Sequence, residues 1–496
     1  MPMDVPRVPG QTASDDAAFL ARVSAAVFHN PFSDARHAVD LELAEADDDT
    51  PRAELLDRVV HRVESRLMEI AGGETLDVRR FRGDFRQRVE HAVLFLLFHR
   101  YADAFDAFIE AQVAGEAGGQ GVAFTGELMN DLEAYGFRKE AAAHMVAIFF
   151  QMRRAFYFID HSLTGRAPCM RTFRERLWNN VCTADIGRYA SLLTDRMEDF
   201  STILLGPTGS GKGAAAAAIG RSGFIPYDPR RQKFLDAFTS AFIPINLSAY
   251  PDTLIESELF GHRKGAFTGA IDTYDGVLGR CSPHGAVFLD EIGEVSIPVQ
   301  IKLLRVLQER NFTPVGSHTA MPFRGRVIAA THQDLDAMRR DGTFRDDFYY
   351  RLCSDVIEVP PLRLRLSEDP AELELLLESL LTRILGQEDS GLVDEVATKL
   401  RRDVPEDYAW PGNVRELEQA TRRILMGHAF RPDSAASAAD DRSTLVEGVD
   451  AGALTAKGLV SLYCRVLHAR HGTYEEVARR VELDRRTVKK HIVGEA

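Results

Sequence analysis

The sequence predicts an α/β core built on a parallel sheet flanked by helices, preceded by one all-α region and followed by a smaller one. Three observations carry this. The β-rich runs Thr202-Ile-Leu-Leu205, Ala286-Val-Phe-Leu289 and Arg326-Val-Ile-Ala-Ala330 alternate with helical stretches, the pattern of strands joined by helical crossovers. From about Arg52 to Gly165, apolar residues recur at helical spacing. The last 41 residues, 456–496, read as a short helical domain with more Lys and Arg than acid.

At 496 residues and 45% hydrophobic content, the chain is long enough for several domains and apolar enough to bury their cores. We expect a helical N-terminal regulatory domain over 1–182, whose signal is unread, and an α/β domain over 183–428 ending in a helical lid at about 368–428. Residues 429–455, rich in Ala, Ser, Asp and Gly, read as a linker before the C-terminal domain. Within the first region, Val89 to Ala114 and Lys139 to Leu163 each read as a helix, and their aromatic stripes read as bundle core rather than a ligand pocket. The acidic run Glu42 to Asp49 reads as an exposed segment. A net charge of -14 argues against nucleic acid coating the whole surface, though a local basic domain is compatible with DNA. Five scattered cysteines without CxxC spacing, and a start without a basic-then-apolar leader, lead us to expect a cytoplasmic protein independent of membranes.

The chemistry begins at Gly206-Pro207-Thr208-Gly209-Ser210-Gly211-Lys212, which follows a strand and opens a helix. Glycines there let backbone amides converge on phosphate oxygens, the helix N-terminus favours negative charge, and Lys212 adds a point charge near the terminal phosphates. The next residue, Gly213, stands where such loops usually carry the Ser or Thr that ligates magnesium. A second apolar run ends in Asp290 and Glu291: Asp290 is placed to hold magnesium, directly or through water, and Glu291 to orient or deprotonate an attacking water. Capping of the following helix is the alternative for both acids.

Between these motifs, Glu256-Ser-Glu-Leu-Phe-Gly261 leads into Gly265-Ala266-Phe267-Thr268-Gly269-Ala270. The pattern resembles the bacterial enhancer-binding proteins, the AAA+ activators of sigma-54 RNA polymerase, whose GAFTGA loop contacts sigma-54. The resemblance covers roughly Thr202 to Met426 and implies the AAA+ P-loop fold with ATP and magnesium as ligands. It implies that Asn246 pairs with Glu291 to couple nucleotide state to the loop, although Asn246 also suits a turn. It makes Thr331 the first sensor, followed by His332 where asparagine is usual. It makes Arg345 and Arg351 arginine fingers reaching a neighbouring subunit, with pairing to Asp346 or Asp347 as their alternative. Trp410-Pro-Gly-Asn-Val-Arg415-Glu-Leu matches the segment that carries the second sensor, here Arg415. Two further departures are Arg263, where an acid is common, and a longer segment from Arg221 to Ala241.

At the C-terminus, Val477, Ala478, Leu483, Val488 and Ile492 form the apolar seam of a helix-turn-helix. It resembles the Fis-like module that often ends these activators, which implies that Arg485, Arg486, Thr487, Lys489 and Lys490 face double-stranded DNA. A basic hairpin for protein contact is the alternative. The whole resemblance implies an ATPase that binds upstream DNA, assembles as a homo-oligomer, a hexameric ring by family habit, and remodels the sigma-54 RNA polymerase holoenzyme. Two other readings remain open: a DNA-binding regulator switched by nucleotide with little hydrolysis, and an AAA+ remodeler of another protein.

Overall fold

The computed structural model describes residues 9–116, 122–405, 408–432, 442, 444–446, 448–471 and 473–493. The chain divides into two compact units, residues 1–206 with 211–360, and residues 207–210 with 361–496. Among the described residues, no helix is long and apolar enough to cross a membrane.

The first unit opens with helices only. Arg52–Ala71 shows why: Leu55, Val59, Val63 and Leu67 repeat every four residues and are all buried. That spacing puts one apolar stripe toward the neighbouring helices. Lys139–Ser162 forms as expected, but the stretch from Val89 is two helices, Gly83–Arg100 and Ala102–Val113. The chain turns at Tyr101, whose hydroxyl donates to Asp131 at 2.9 Å. The acidic run is also partly corrected. Its first residues complete the helix Asp34–Ala44, where Leu43 and Ala44 are buried while Glu42 is exposed. Charge density masked an amphipathic helix end capped at its start by Ser33.

Five parallel strands follow: β1 (Thr202–Leu205), β2 (Phe242–Asn246), β3 (Ala286–Asp290), β4 (Arg326–Thr331) and β5 (Asp355–Glu358). Their order in the sheet is β2-β3-β4-β1-β5. Alternate residues serve two cores, as the period of a strand requires. Ile203, Ile245, Val287, Leu289, Val327 and Ala329 face one, closed by Ile297–Glu309 and Asp346–Leu352. Leu204, Ala286, Phe288, Ile328, Ala330 and Ile357 face the other.

That second core runs without interruption from the sheet into the N-terminal helices, so the expected boundary after Cys182 is not a gap in packing. The segment from Arg221 to Ala241, longer than usual, is where the two meet. Its Phe234 stacks on Phe150 at 4.1 Å, and its Phe238 lies against Phe158 at 5.4 Å. Arg154, wholly buried, donates to the carbonyls of Arg221 at 2.7 Å and Gly223 at 2.8 Å and lies over the Phe150 ring. Burial pushes its guanidinium down to about 9. At the other end of the sheet, buried Arg326 donates to the Asn180 carbonyl and side chain and to Thr202 Oγ1, while Asn180 donates to Asp355. Helix Pro168–Cys182 is thereby tied to the starts of β4, β1 and β5.

In the second unit, Leu362–Glu368, Glu372–Leu385, Ser390–Asp403 and Asn413–Leu425 pack around Leu377, Leu381, Val396, Leu400, Trp410 and Leu417. Arg365 and Glu372 pair inside at 2.7 Å, both almost fully buried. The C-terminal helices are Ala456–His471, Tyr474–Val481 and Arg485–Val493, around Cys464, Leu467, Val477 and Val488. Part of the expected linker falls outside the described residues.

Arg154→Leu removes the donors to two half-buried carbonyls and is expected to lower the unfolding free energy by roughly 3 kcal/mol. Urea denaturation of the full chain followed by circular dichroism reads this, and an unchanged midpoint would rule the contact out as a structural tie.

Candidate functional site

The phosphate loop is divided between the two units. In the first, β1 ends at Leu205, Gly206 N–H donates to the Thr331 carbonyl at 3.4 Å, and helix Lys212–Gly220 starts beyond Gly211 at φ 107°. Lys212 is buried and its Nζ donates to the Gly206 carbonyl at 2.8 Å. Gly213 is exposed, and a Cβ added there would meet nothing within 4 Å.

In the second unit, Pro207 and Thr208 are exposed, and the Pro207 carbonyl accepts from Ser210 N–H at 3.3 Å. Gly209 lies at φ 77°, and a Cβ on it would collide with the Gly412 carbonyl oxygen and come within 2.9 Å of Arg415 Cβ. Only glycine satisfies both the backbone and the close approach. Ser210 Oγ is buried and has no hydrogen-bond partner among the described residues.

The tryptophan-proline-glycine turn explains the approach at Gly209. Trp410 and Asn413 both adopt φ 50°, and Trp410 is fixed by stacking on Phe430. Buried Asn413 accepts from Leu362 N–H at 2.8 Å and donates to the Thr208 carbonyl at 3.0 Å, while Val414 N–H donates to the Gly209 carbonyl at 3.1 Å. Arg415, one residue further, is exposed beside the loop. Asn413 is a positioning residue that sequence reasoning passed over inside a matched motif. Its one signal was an asparagine after Pro-Gly, a type that tolerates the left-handed backbone.

At the carboxyl edge of the sheet, β3 ends at Asp290, which pairs in register with Asn246 on one side and Ala330 on the other. Asp290 Oδ1 accepts from Glu291 N–H at 3.2 Å. Glu291 takes the left-handed conformation, φ 57° and ψ 51°, and its Oε2 lies 2.8 Å from His332 Nδ1. The pairing of Asn246 with Glu291 implied by the resemblance does not form. Asn246 Oδ1 accepts instead from Ser248 N–H at 3.0 Å and Ser248 Oγ at 2.7 Å, capping a short turn. Thr331 is buried and its hydroxyl accepts from Gln333 N–H at 3.1 Å.

The loop Gly265 to Ala270 is a closed turn. Gly265 N–H donates to the Ala270 carbonyl at 2.8 Å, Ala270 N–H to the Phe267 carbonyl at 3.0 Å, and Gly265 and Gly269 have φ of 81° and 103°. Its base is the antiparallel bridge of His262 with Tyr274, and Ala266 packs against Gly316. Phe267, Thr268 and Ile271 are exposed, with Phe267 edge-on to His262 at 5.0 Å. Arg345 is held by Asp347 through two hydrogen bonds of 2.7 and 3.0 Å, the alternative left open for it, which raises the guanidinium pKa and lowers that of the carboxyl. Arg351 donates to the Leu307 carbonyl at 2.9 and 3.1 Å.

In the C-terminal domain, Asp484 accepts from the amides of Arg486 and Thr487 and from the Thr487 hydroxyl, so Asp484 caps the helix Arg485–Val493. These contacts hold the Asp484 carboxyl below its ordinary range. Arg485 pairs with Glu475 at 2.8 Å. Arg486, Lys489 and Lys490 are exposed at spacings of three and four, one face of Arg485–Val493.

A five-stranded parallel sheet with this strand order, a glycine-rich loop opening a helix after β1 and acids at the end of β3 define an AAA+ P-loop domain. Residues 187–358 match the family model described as the sigma-54 interaction domain. Over 260 residues the chain is 38% identical to the DNA-binding transcriptional activator HyfR of Escherichia coli (strain K12), covering 51% of this chain and 36% of HyfR. It is 41% identical over 226 residues to the DNA-binding transcriptional regulator NtrC of Azospirillum brasilense, covering 46% of this chain and 43% of NtrC. Among solved structures, NtrX from Brucella abortus in complex with ATP aligns with 74% of this chain and 78% of its own, at 18% identity and a TM-score of 0.40. The chain thus spans less than half the length of the two curated relatives.

Gly209→Ala is expected to destabilise the second unit by about 2 kcal/mol through backbone strain alone. Thermal melting of the nucleotide-free chain checks it, and a melting curve superposable on the wild type would contradict the close packing of Gly209.

Proposed function

We propose that this chain is an ATP-driven transcriptional activator of the cytoplasm that binds upstream DNA and uses hydrolysis to remodel sigma-54 RNA polymerase for promoter opening. The observation that carries the reading is the sigma-54 interaction domain over 187–358, with its Gly265 to Ala270 loop presenting Phe267 and Thr268 to solvent.

The residues present suit a nucleoside triphosphate. Ser210 Oγ is a buried polar atom without a partner among the described residues, and Lys212 holds a carbonyl that a phosphate oxygen would displace from the ammonium. Gly209 and Gly211 give the loop the left-handed turns that aim amides inward, and Arg415 stands ready beside it. Asp290 is the acid suited to magnesium, which when bound neutralises phosphate charge. Glu291 orients and deprotonates the attacking water, and Thr331 senses the terminal phosphate from the end of β4. Arg345 and Arg351 serve a neighbouring subunit in a ring, for which Arg345 leaves Asp347. The C-terminal domain holds DNA through Arg486, Lys489 and Lys490, with Arg485 and Thr487 at the helix start.

Gly213, which lacks the usual hydroxyl, favours a second reading in which nucleotide acts as a switch with little turnover. Steady-state ATPase measurement separates the two. Glu291→Gln should keep ATP affinity while turnover drops on the order of 100-fold or more. No turnover by the wild type under assembling conditions would instead support the switch. Because the space over Gly213 is open, Gly213→Thr should be accommodated and lower the magnesium concentration needed for half-maximal activity. Unaltered magnesium dependence would mean that no ligand position is missing there.

A further inference from the structure

We infer that His332, not Asn246, is the residue that positions the Glu291 carboxylate for hydrolysis, an assignment that rests on the reading of Glu291 as the group acting on water. Glu291 is mostly buried, its side chain 16% exposed, and His332 is a close polar partner, Nδ1 to Oε2 at 2.8 Å. Asn246 stands on the far side of β3 and spends its carbonyl oxygen on Ser248.

The sheet makes the pairing specific. β3 and β4 run parallel with Asp290 opposite Ala330, so Glu291 emerges level with Thr331, the last residue of β4, and its side chain reaches the next residue, His332. Glu291 holds a left-handed backbone that a residue with a Cβ adopts only when its surroundings impose it. That backbone turns the side chain toward β4. The carboxylate accepts, so His332 carries a hydrogen on Nδ1. The residue before His332 supplies the carbonyl that receives Gly206 N–H at the start of the phosphate loop. His332 therefore joins Glu291 to the strand end that borders the nucleotide. It does not touch the reacting atoms and acts as a positioning residue.

An asparagine Nδ2 occupies nearly the place of a histidine Nδ1, whereas a glutamine reaches further, toward the place of Nε2. His332→Ala should lower kcat roughly 10- to 100-fold with ATP affinity kept. His332→Asn should restore most of kcat, and His332→Gln should not. Normal turnover in His332→Ala would overturn the inference, as would equal loss in Ala and Asn variants that bind ATP normally. A Glu291→Gln variant run in parallel distinguishes the two levels. If it hydrolyses ATP, the role of Glu291 falls and this inference with it; if it is inactive while His332→Ala is normal, only the role of His332 falls. A readout independent of turnover is the imidazole 15N spectrum of the nucleotide-free chain, with the His332 signals identified by their loss in His332→Asn. The expected result is an Nδ1–H tautomer that reverts in Glu291→Ala, and an Nε2–H tautomer in the wild type would contradict the pairing.

Discussion

The pairing of β3 with β4 is the constraint on which the rest of the site depends. It sets Asp290 opposite Ala330, and with a parallel register that choice brings Glu291 level with Thr331 and within reach of the next residue, His332. A one-residue slip would exchange the faces of the strand, send Phe288 into the core that now holds Leu289, and part the two side chains. The hydrophobic alternation along β3 and β4 thus fixes a polar contact at their ends. The same logic serves β1, whose pairing with β4 brings Gly206 to the Thr331 carbonyl and so starts the phosphate loop at the right height.

Two buried arginines extend this rigidity into the N-terminal helices. Arg326 sits at the start of β4 and ties it to Asn180 and Thr202, while Arg154 ties the long helix Lys139–Ser162 to the chain leaving Lys212–Gly220. Both guanidiniums are pushed down by burial, Arg326 to about 10, yet each is surrounded by oxygen acceptors. The helices share one apolar core with the sheet. A change in their packing would therefore be felt by the helix that begins at Lys212.

Much of this was legible in the sequence, because it is written in local patterns. The strands at Thr202, Ala286 and Arg326 and the glycine-rich turn each declare themselves within about ten residues, and the apolar seam from Val477 to Ile492 within one local stretch. What was not legible depends on register and on distant partners. His332 registered only as a departure from asparagine, since its contact with Glu291 spans 41 residues and requires knowing that β3 and β4 are neighbours. Asn246 fits a family pattern and a turn equally well by sequence, and the Ser248 contacts favour the turn. The break falls at Tyr101, whose hydroxyl bonds to the distant Asp131, and the burial of Leu43 depends on a core that no local window reveals.

In the proposed function, nucleotide turnover at this site is coupled to sigma-54 polymerase through the exposed turn at Phe267 and Thr268. The most direct test is open-complex formation on a sigma-54 promoter, read by permanganate footprinting, with the purified chain, holoenzyme and ATP. The account predicts strand opening that requires both the chain and hydrolysable ATP and is absent with a non-hydrolysable analogue. A promoter that stays closed while the chain turns over ATP beside the holoenzyme would contradict it.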